Sequence, residues 1–363
     1  MTTITAIVPR LPPAVDGLGD YGFKLACQLR QDFAIDTEFI VGRPEWDGNS
    51  EIEGFKIQQV SDWSASSLLE LLPHHSELSS TILLHYVGYG YAKRGCPVWL
   101  VKALEQWRKS ASHRRLVTMF HEVYAFSPQP WSSQFWTSPL QKNLAKRLAC
   151  VSDICLTSKE SYGEIVCQLS NGKHTQIPTL PVFSNIGEPK NISPLSERSR
   201  QLVVFGGGGP RTRVYQQSHP ALERACQVLE IEKIIDIGPP LGFDPTPISG
   251  VPILSMGIQP PEKISRILSE AVAGFFNYPL DFLAKSTIFA AYCAHGLLPI
   301  GVHYEGNNVD GLVAETHYWL ADRDKNMTLL EGQEVANNAY SWYQGHRLSV
   351  QASMFARYLQ GNS

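Results

Sequence analysis

The stretch AVAGFFNYPLDFLAKSTIFAAYCAHGLLPIGV, residues 271–302, decides the fold of this chain. It opens with a short apolar run, the pattern of a buried parallel strand, which Pro279 interrupts. Ser286 is a typical helix N-cap and Gly296 a typical helix end, and a second apolar run follows. Strand, loop, helix and strand in this order predict one unit of a parallel α/β sheet.

The loop of this unit carries residues suited to an anion. In parallel sheets such loops face a ligand, and the helix that follows presents free N–H groups and the positive end of its dipole. Lys285 and Ser286 stand at that helix start. The pattern predicts that both contact a phosphate. The alternative is a surface lysine beside an ordinary helix cap.

Length, composition and charge exclude several classes of protein. A chain of 363 residues that is 43% hydrophobic and 18% charged predicts two folded domains. The net charge of -3 argues against a nucleic-acid partner, and we find neither a membrane-spanning run nor a secretion signal. The seven scattered cysteines suit a reduced, cytoplasmic protein. The cysteines form no zinc motif and no Asp-x-Asp metal motif stands in a convincing loop context, so we expect no metal.

The N-terminal half begins with an apolar strand and a glycine-rich stretch. Gly17 and Gly19 predict a loop in which the backbone approaches a ligand closely, with Asp20 beside them, before a helix that starts near Phe23. The spacing is not that of a dinucleotide-binding loop. The alternative is that the glycines only form a turn.

Further candidates follow two strands of the same half. His121 and Glu122 come directly after the strand 115–120, where a histidine can hydrogen-bond a sugar hydroxyl or a developing charge. Tyr89 and Tyr91 lie in an aromatic loop that could stack on a sugar ring. The alternatives are a histidine satisfied by local backbone and tyrosines that pack in the core.

Residues 93–115 are mostly basic. Lysines and arginines predominate there over a single glutamate. This composition suits contact with an anionic membrane surface, so the sequence predicts a peripheral membrane contact. The alternative is the solvated face of one helix.

The C-terminal half follows a polar, proline-containing linker at residues 187–200. A buried strand then runs into four consecutive glycines, a costly sequence that is useful where backbone comes close to a ligand. Gly207 and Gly208 are therefore predicted to contact a phosphate, together with Arg211 and Arg213, since arginine forms bidentate bonds to phosphate. The alternative is a flexible turn with arginines in solvent.

Strands and helices alternate in both halves. The fold class predicted is α/β, with two doubly wound, Rossmann-like domains facing across a cleft. We place the first domain at residues 1–190 and the second at residues 200–345. The last helix, within residues 346–363, is predicted to pack back on the first domain.

The order of elements resembles the GT-B glycosyltransferases, most nearly their retaining family-4 group. The resemblance covers nearly the whole chain and rests on a few short motifs in order: GLGDYG at 17–22, His121, SDICLTSKES at 152–161, FGGGGPRTR at 205–213 and AAYCAHGLLPIG at 290–301.

The resemblance implies transfer of a sugar from a nucleotide-diphosphate sugar to a glycan, lipid or small-molecule acceptor. It implies retention of configuration, with no metal and no further cofactor. The first domain would bind the acceptor and the second the nucleotide. By the same resemblance, Gly17 and Gly19 meet the donor's phosphates and sugar, His121 touches the transferred sugar, and Arg211 or Arg213, helped by Lys285, binds the diphosphate.

The sequence departs from that family at one motif. The family usually carries Glu-x7-Glu before the helix end, and alignment on Gly296 places Leu283 and Ala291 at those positions. Two alternatives therefore stay open. One is a non-catalytic GT-B-like protein that binds a nucleotide or a glycan. The other is a nucleotide-sugar epimerase, for which the chain offers only the carboxylates Asp20 and Glu122.

Overall fold

The computed structural model describes residues 2–14, 16–73, 80–125, 131, 133–302, 309–323 and 327–361. The chain divides into two compact units. Unit 1 comprises Met1–Pro181 together with Leu348–Ser363, and unit 2 comprises Val182–Arg347.

Unit 1 is built on a mostly parallel sheet. Its strands are β1 (Thr2–Val8), β2 (Ile35–Val41), β3 (Glu51–Ile52), β4 (Phe55–Gln59), β5 (Thr81–Tyr86), β6 (Arg115–Phe120) and β7 (Ile154–Thr157). Its first helices are α1 (Gly17–Phe33), α2 (Ala65–Leu71), α3 (Gly88–Tyr91), α4 (Val98–Lys109), α5 (Ser133–Val151) and α6 (Glu160–Leu169).

The strand order of unit 1 among the described residues is β3-β4-β2-β1-β5-β6-β7. The chain moves outward from β1 on one side and then from β5 on the other, so the direction of winding reverses between β1 and β5. Such a switch point opens a crevice at the carboxyl ends of the strands. Buried aliphatic side chains of β1, β5 and β6 pack against helices such as α4, which contributes Leu100, Leu104 and Trp107 to the core.

Helix α1 starts earlier than its sequence suggests. The prediction of a helix from Phe23 is wrong, because α1 begins at Gly17 and the glycine-rich stretch forms its first turn. Asp16 is the reason: its side chain accepts hydrogen bonds from the N–H groups of Leu18 and Gly19 and so caps the helix.

Unit 2 repeats the architecture. Its strands are β8 (Ser199–Phe205), β9 (Lys233–Ile237), β10 (Ile253–Ser255), β11 (Ala271–Phe275), β12 (Leu298–Gly301) and β13 (Trp319–Leu320). Its helices are α7 (Gly208–Gln217), α8 (His219–Val228), α9 (Pro261–Glu270), α10 (Thr287–Ala294) and α11 (Leu329–Gln344), and a 3-10 helix spans Leu280–Lys285.

The described strands of unit 2 run in the order β10-β9-β8-β11-β12-β13, all parallel. The winding therefore reverses between β8 and β11. Ser286 caps α10 through a hydrogen bond from the N–H of Phe289, and Gly296 follows the helix with φ 62°, as the sequence predicts. The α/β class with two Rossmann-like domains is confirmed.

Helix α12 (Leu348–Gln360) packs on α1 in unit 1. Its buried residues include Phe355 and Leu359. The Tyr21 hydroxyl of α1 donates a hydrogen bond to the side chain of Gln351. Residues 362 and 363 of the segment predicted to pack here lie outside the described residues.

The segment predicted as a linker at residues 187–200 belongs to unit 2. Leu195 is buried in the core of that unit, and Arg198 is buried with hydrogen bonds to backbone oxygens such as that of Ala271. The division between the units falls earlier, between Pro181 and Val182. Across the described helices, none has the length and apolarity needed to span a membrane.

Candidate functional site

A cluster of three rings lies at the switch point of unit 1. His121 follows β6, and its backbone N–H donates to the Tyr86 carbonyl at 3.0 Å. His85 lies one residue before the end of β5, and its Nδ1 is 3.1 Å from Nε2 of His121. Tyr21 of α1 meets both imidazoles edge-on, at ring centroid distances of 5.7 and 5.0 Å. Neither His85 nor Tyr21 is among the site residues predicted from the sequence, although a histidine inside the apolar run TILLHY is a signal of this kind.

The His85 side chain determines which nitrogen of His121 carries a proton. His85 is fully buried, and burial lowers its pKa to about 3, so its imidazole is neutral and has one N–H. Its Nε2 has no hydrogen-bond partner. In protein interiors a buried N–H without an acceptor is rarer than a buried acceptor atom without a donor. We therefore assign the proton of His85 to Nδ1 and leave Nε2 as the unpaired acceptor. His85 then donates to Nε2 of His121, and a neutral His121 carries its own proton on Nδ1.

The start of α1 is occupied by the chain's own groups. The Asp16 carboxylate accepts the N–H groups of Leu18 and Gly19, each at 3.0 Å. Burial, reinforced by the charge of Asp16, raises the pKa of Asp20 to about 6. A phosphate at this helix end would face these two carboxyl groups, so the phosphate contacts predicted for Gly17 and Gly19 find no support in the local electrostatics.

The two glycines at this helix start differ in their surroundings. A Cβ on Gly19 would overlap the carbonyl oxygen of Arg10, whereas a Cβ on Gly17 would meet no atom within 4 Å. The close approach predicted at Gly19 therefore exists, but it is an approach of the chain to its own backbone. The ligand contact of Gly17 stays a prediction.

The aromatic residues after β5 have different environments. Tyr91 is fully buried, and its hydroxyl lies 2.8 Å from the His85 carbonyl and 3.1 Å from that of Ile7. The prediction that Tyr91 stacks on a sugar is wrong, because its ring belongs to the core. Tyr89 is partly exposed and accepts a 3.4 Å hydrogen bond from Gln141. Glu122 is also partly exposed, next to His121.

The basic region 93–115 is not one charged surface. Arg108 forms a bidentate ion pair with Asp153, at 2.7 and 2.9 Å. Arg114 is buried and donates to the Trp107 carbonyl, and Arg115 donates to the carbonyl of Tyr358 in α12. The prediction of a continuous membrane-binding patch is wrong for these arginines, because they hold unit 1 together.

The four consecutive glycines 206–209 have two kinds of surroundings. Gly206 has φ 125°, and a Cβ there would overlap the Ile288 side chain at the start of α10. Gly207, Gly208 and Gly209 have no atom within 4 Å of the position of a Cβ. The N-cap of α7 is Gly207, which has no side chain to bond the first N–H groups. In the first turn of α7, at the carboxyl end of β8, the N–H groups of Gly208 and Gly209 therefore have no side-chain cap. Pro210, the next residue, has no N–H.

Arg211 is engaged inside unit 2. It is buried, and its guanidinium pairs with Asp236 of β9 through Nε at 3.0 Å and through Nη2. Its Nη1 donates to the Pro239 carbonyl at 2.6 Å, and the Tyr215 hydroxyl donates to the same carboxylate at 2.8 Å. A diphosphate bound to Arg211, as the sequence predicts, would compete with the Asp236 carboxylate, which already neutralises the guanidinium charge.

Arg213 lies in α7, which follows β8, and Lys285 and Ser286 lie between β11 and α10. Arg213 is partly exposed, with Nε 3.5 Å from the carbonyl of Asn277. Lys285 ends the 3-10 helix, with Nζ 5.6 Å from the ring centroid of Phe282. Ser286 is buried, and its hydroxyl accepts the N–H of Phe289 at 3.2 Å. Arg213 and Lys285 thus lie on the segments that follow the two neighbouring strands β8 and β11.

A cavity of about 410 Å³ opens beside this switch point. Its lining includes residues 238–245 after β9, with Phe243 among them, and Ser255 and Gly257 at the end of β10. Arg211 and Asp236 form its inner wall. Its volume is in the range of small-molecule sites. This cavity is not predicted from the sequence, although the run GPPLGFDP after a strand is a signal of an irregular loop.

The two positions at which the family-4 glycosyltransferases usually carry glutamate lie in the core of unit 2. Leu283, in the 3-10 helix, and Ala291, in α10, are both buried. Among the described residues, no group of three or more His, Cys, Asp or Glu side chains is arranged to hold a metal ion.

Solved structures of similar fold identify the class of architecture. The chain superposes on an α,α-trehalose 6-phosphate synthase from Burkholderia multivorans with a TM-score of 0.61 at 12% identity, covering 100% of this chain and 97% of that one. It superposes on the lipopolysaccharide outer core galactosyltransferase WaaB with a TM-score of 0.57 at 10% identity, covering 100% of both chains. A protein assigned as a UDP-N-acetylglucosamine 2-epimerase from Listeria monocytogenes gives 0.56 at 11% identity, covering 99% and 96%.

The chain therefore has the GT-B fold found in glycosyltransferases, as its sequence motifs predict. At these identities the likeness establishes the fold alone. No protein-family model matches the chain, and no curated protein matches its sequence.

Proposed function

We propose that this protein is a glycosyltransferase that binds a nucleotide-diphosphate sugar at the switch point of unit 2. The observation that carries the proposal is the start of α7. There, the N–H groups of Gly208 and Gly209 have no side-chain cap, and the space beside Gly207, Gly208 and Gly209 is open. A helix start of this kind favours an anion, and phosphate oxygens are suitable acceptors.

The surrounding residues suit the rest of the donor. Arg213 and Lys285 supply the positive charge that a nucleoside diphosphate leaving group requires, so the proposed transfer needs no metal and no further cofactor. The cavity bounded by residues 238–245 has room for the nucleoside beside the phosphates. Phe243 offers an aromatic face to the base.

His121 is the proposed contact to the transferred sugar. In the tautomer assigned above, Nε2 of His121 accepts from His85, and the proposed donor to a sugar oxygen or to a developing negative charge is the Nδ1–H. Asp20, Tyr89 and Glu122 are the proposed acceptor contacts on the same edge of unit 1. Retention of configuration is proposed from the resemblance to the family-4 group, and the acceptor is a glycan, a lipid or a small molecule.

The first test is thermal unfolding against UDP, GDP, ADP, CMP and the matching sugar nucleotides. A nucleotide present at about a hundred times its Kd adds roughly 2.7 kcal/mol of stability, which appears as a higher midpoint for unit 2. We expect stabilisation by one diphosphate family. We expect it to be lost in Gly208→Ala, whose methyl group enters the space where the phosphate would lie.

Matched variants separate binding from folding. Gly208→Ala and Arg213→Ala change groups at the open edge, so the midpoint without nucleotide should stay close to that of the wild type. Gly206→Ala places a methyl group against Ile288 at a φ that favours glycine, so it should lower that midpoint. If a nucleotide stabilises the wild type, Gly208→Ala and Arg213→Ala equally, the proposal that the phosphates bind at the start of α7 is wrong.

A second function is favoured by one observation. Leu283 and Ala291 are buried, apolar residues at the positions where the family usually carries its two glutamates. A GT-B-like protein that binds a nucleotide or a glycan without catalysis fits this feature. The two proposals diverge in a transfer assay. Nucleotide binding without release of nucleoside diphosphate from any sugar nucleotide, with a panel of acceptors, would favour the binding protein.

A further inference from the structure

The N-terminal end of α5 exposes an aromatic surface on unit 1. Trp131 is 82% exposed and Trp136 is 73% exposed, and Phe135 and Leu140 are exposed beside them. We name these four residues the tip patch. The rings of Phe135 and Trp136 meet edge-on at 5.4 Å between centroids. Large aromatic side chains grouped in this way on a surface mark a site of interaction.

Helix geometry places Phe135, Trp136 and Leu140 on the face of α5 that points away from the core, and Trp131 lies two residues before the helix begins. Ala145 and Leu148 lie on the opposite face, in the core of unit 1. Lys142 lies seven residues after Phe135, which is two helical turns along the same outer face. Lys146 is one further turn along, and both lysines are exposed. The outer face of α5 is therefore aromatic at its start and basic further on.

The loop before α4 adds positive charge at the same place. Gln141 of α5 donates to the Arg94 carbonyl at 2.9 Å, which holds this loop against the helix. Lys93 and Arg94 are both exposed. The sequence has no acidic residue between Glu122 and Asp153, although the whole chain has a net charge of -3. The positive charge around α5 is thus local.

We propose that the tip patch and its basic surround dock unit 1 on a membrane of anionic lipids. Tryptophan and phenylalanine partition into the interface between headgroups and acyl chains, and lysine and arginine contact anionic headgroups. A second copy of the chain is a poorer occupant, since pairing this surface with itself would bring Lys142, Lys146 and Arg94 against like charges. This inference does not depend on the proposed transfer reaction.

The experiment is sedimentation of the full chain with vesicles of phosphatidylcholine, with and without phosphatidylglycerol. The wild type should bind the vesicles that contain phosphatidylglycerol, and added salt should weaken binding. Trp131→Ala/Trp136→Ala should lose at least about tenfold in partition. Lys142→Gln/Lys146→Gln should lose about fivefold for each lysine.

Two control variants test the location of the site. Lys109→Gln removes an exposed charge at the end of α4, and Leu330→Ala removes an exposed apolar residue of unit 2; both should bind as the wild type does. Thermal midpoints equal to that of the wild type show that each variant is folded. The proposal is overturned if the wild type binds neither kind of vesicle. It is also overturned if the tryptophan variant binds equally well, or if the patch instead supports a dimer in solution that the tryptophan variant lacks.

Discussion

At the residue scale, a single buried imidazole determines what His121 can do. The Nδ1 of His85 faces Nε2 of His121, so the tautomer that we assign to His85 makes Nε2 of His121 an acceptor and places the proton of a neutral His121 on Nδ1. A residue that acts through another in this way is a positioning residue. The sequence pointed to His121 by its place after a strand, but it did not show the partner, which lies 36 positions earlier.

The buried state of His85 predicts a pH dependence of stability. Because burial lowers the pKa of His85 to about 3, the unfolded chain takes up a proton below pH 6.5 that the folded chain excludes. The free energy of unfolding should therefore fall as the pH drops from 6.5 towards 3, by up to about 1.4 kcal/mol per pH unit from this group. Urea unfolding at pH 7.5 and pH 5.5 measures the fall.

The variant His85→Phe isolates this contribution. It keeps an aromatic ring in the core and cannot be protonated, so its loss of stability between the two pH values should be smaller than that of the wild type. Nitrogen chemical shifts of His121 in the wild type should show the Nδ1–H form. An equal loss of stability in both proteins would mean that His85 is not held neutral by the fold.

At the scale of elements, the β8–α7 turn combines a structural part and an open part. Gly206 packs against α10, and Arg211 reaches across to β9, whereas the glycines from Gly207 to Gly209 face open space. The glycine run predicted close approach to a ligand. In the structure, close approach to a ligand does not explain Gly206, because that glycine is required by a contact within unit 2.

The ion pair between Arg211 and Asp236 should be visible in a double-mutant cycle. Both partners are buried, so removing one leaves an uncompensated charge and should cost about 3–5 kcal/mol. Arg211→Met and Asp236→Leu should each destabilise by this amount, and the double variant should be more stable than either single one. Urea unfolding of the four proteins measures the coupling. Additive losses would show that the two side chains act independently.

At the scale of the whole molecule, unit 1 is made from both ends of the chain. Helix α12 returns after unit 2, and its Gln351 lies between the hydroxyl of Tyr21 and the carbonyl of Pro181. Unit 2 is continuous in sequence. The two units therefore depend differently on the C-terminus.

Truncation after Arg347 tests this dependence. The shortened chain loses the buried side chains of Phe355 and Leu359, so the unfolding transition of unit 1 should move to lower temperature. The transition of unit 2 should stay where it is. Calorimetry resolves the two, and a chain that ends at Gln360 serves as the control. A uniform shift of both transitions would contradict the division into units.

Local signals predicted most of the elements. The bounds of β5, β6, β9 and α4 follow from apolar runs and periodicity, and the cap at Ser286 and the helix end at Gly296 follow from residue type. Errors occurred where one side chain moved a boundary, as Asp16 did for α1. They also occurred where burial overrode composition, as for Tyr91.

The sequence by itself determined the α/β class, the two-domain organisation and the strand ends where ligand residues should lie, because hydrophobic period and helix caps act over a few residues. Only the tertiary structure decided which side chains are available there. It paired Arg211 with Asp236 and His85 with His121, and it left the start of α7 uncovered. Those outcomes depend on which strands become neighbours, and strand order is set by packing between residues far apart in the chain.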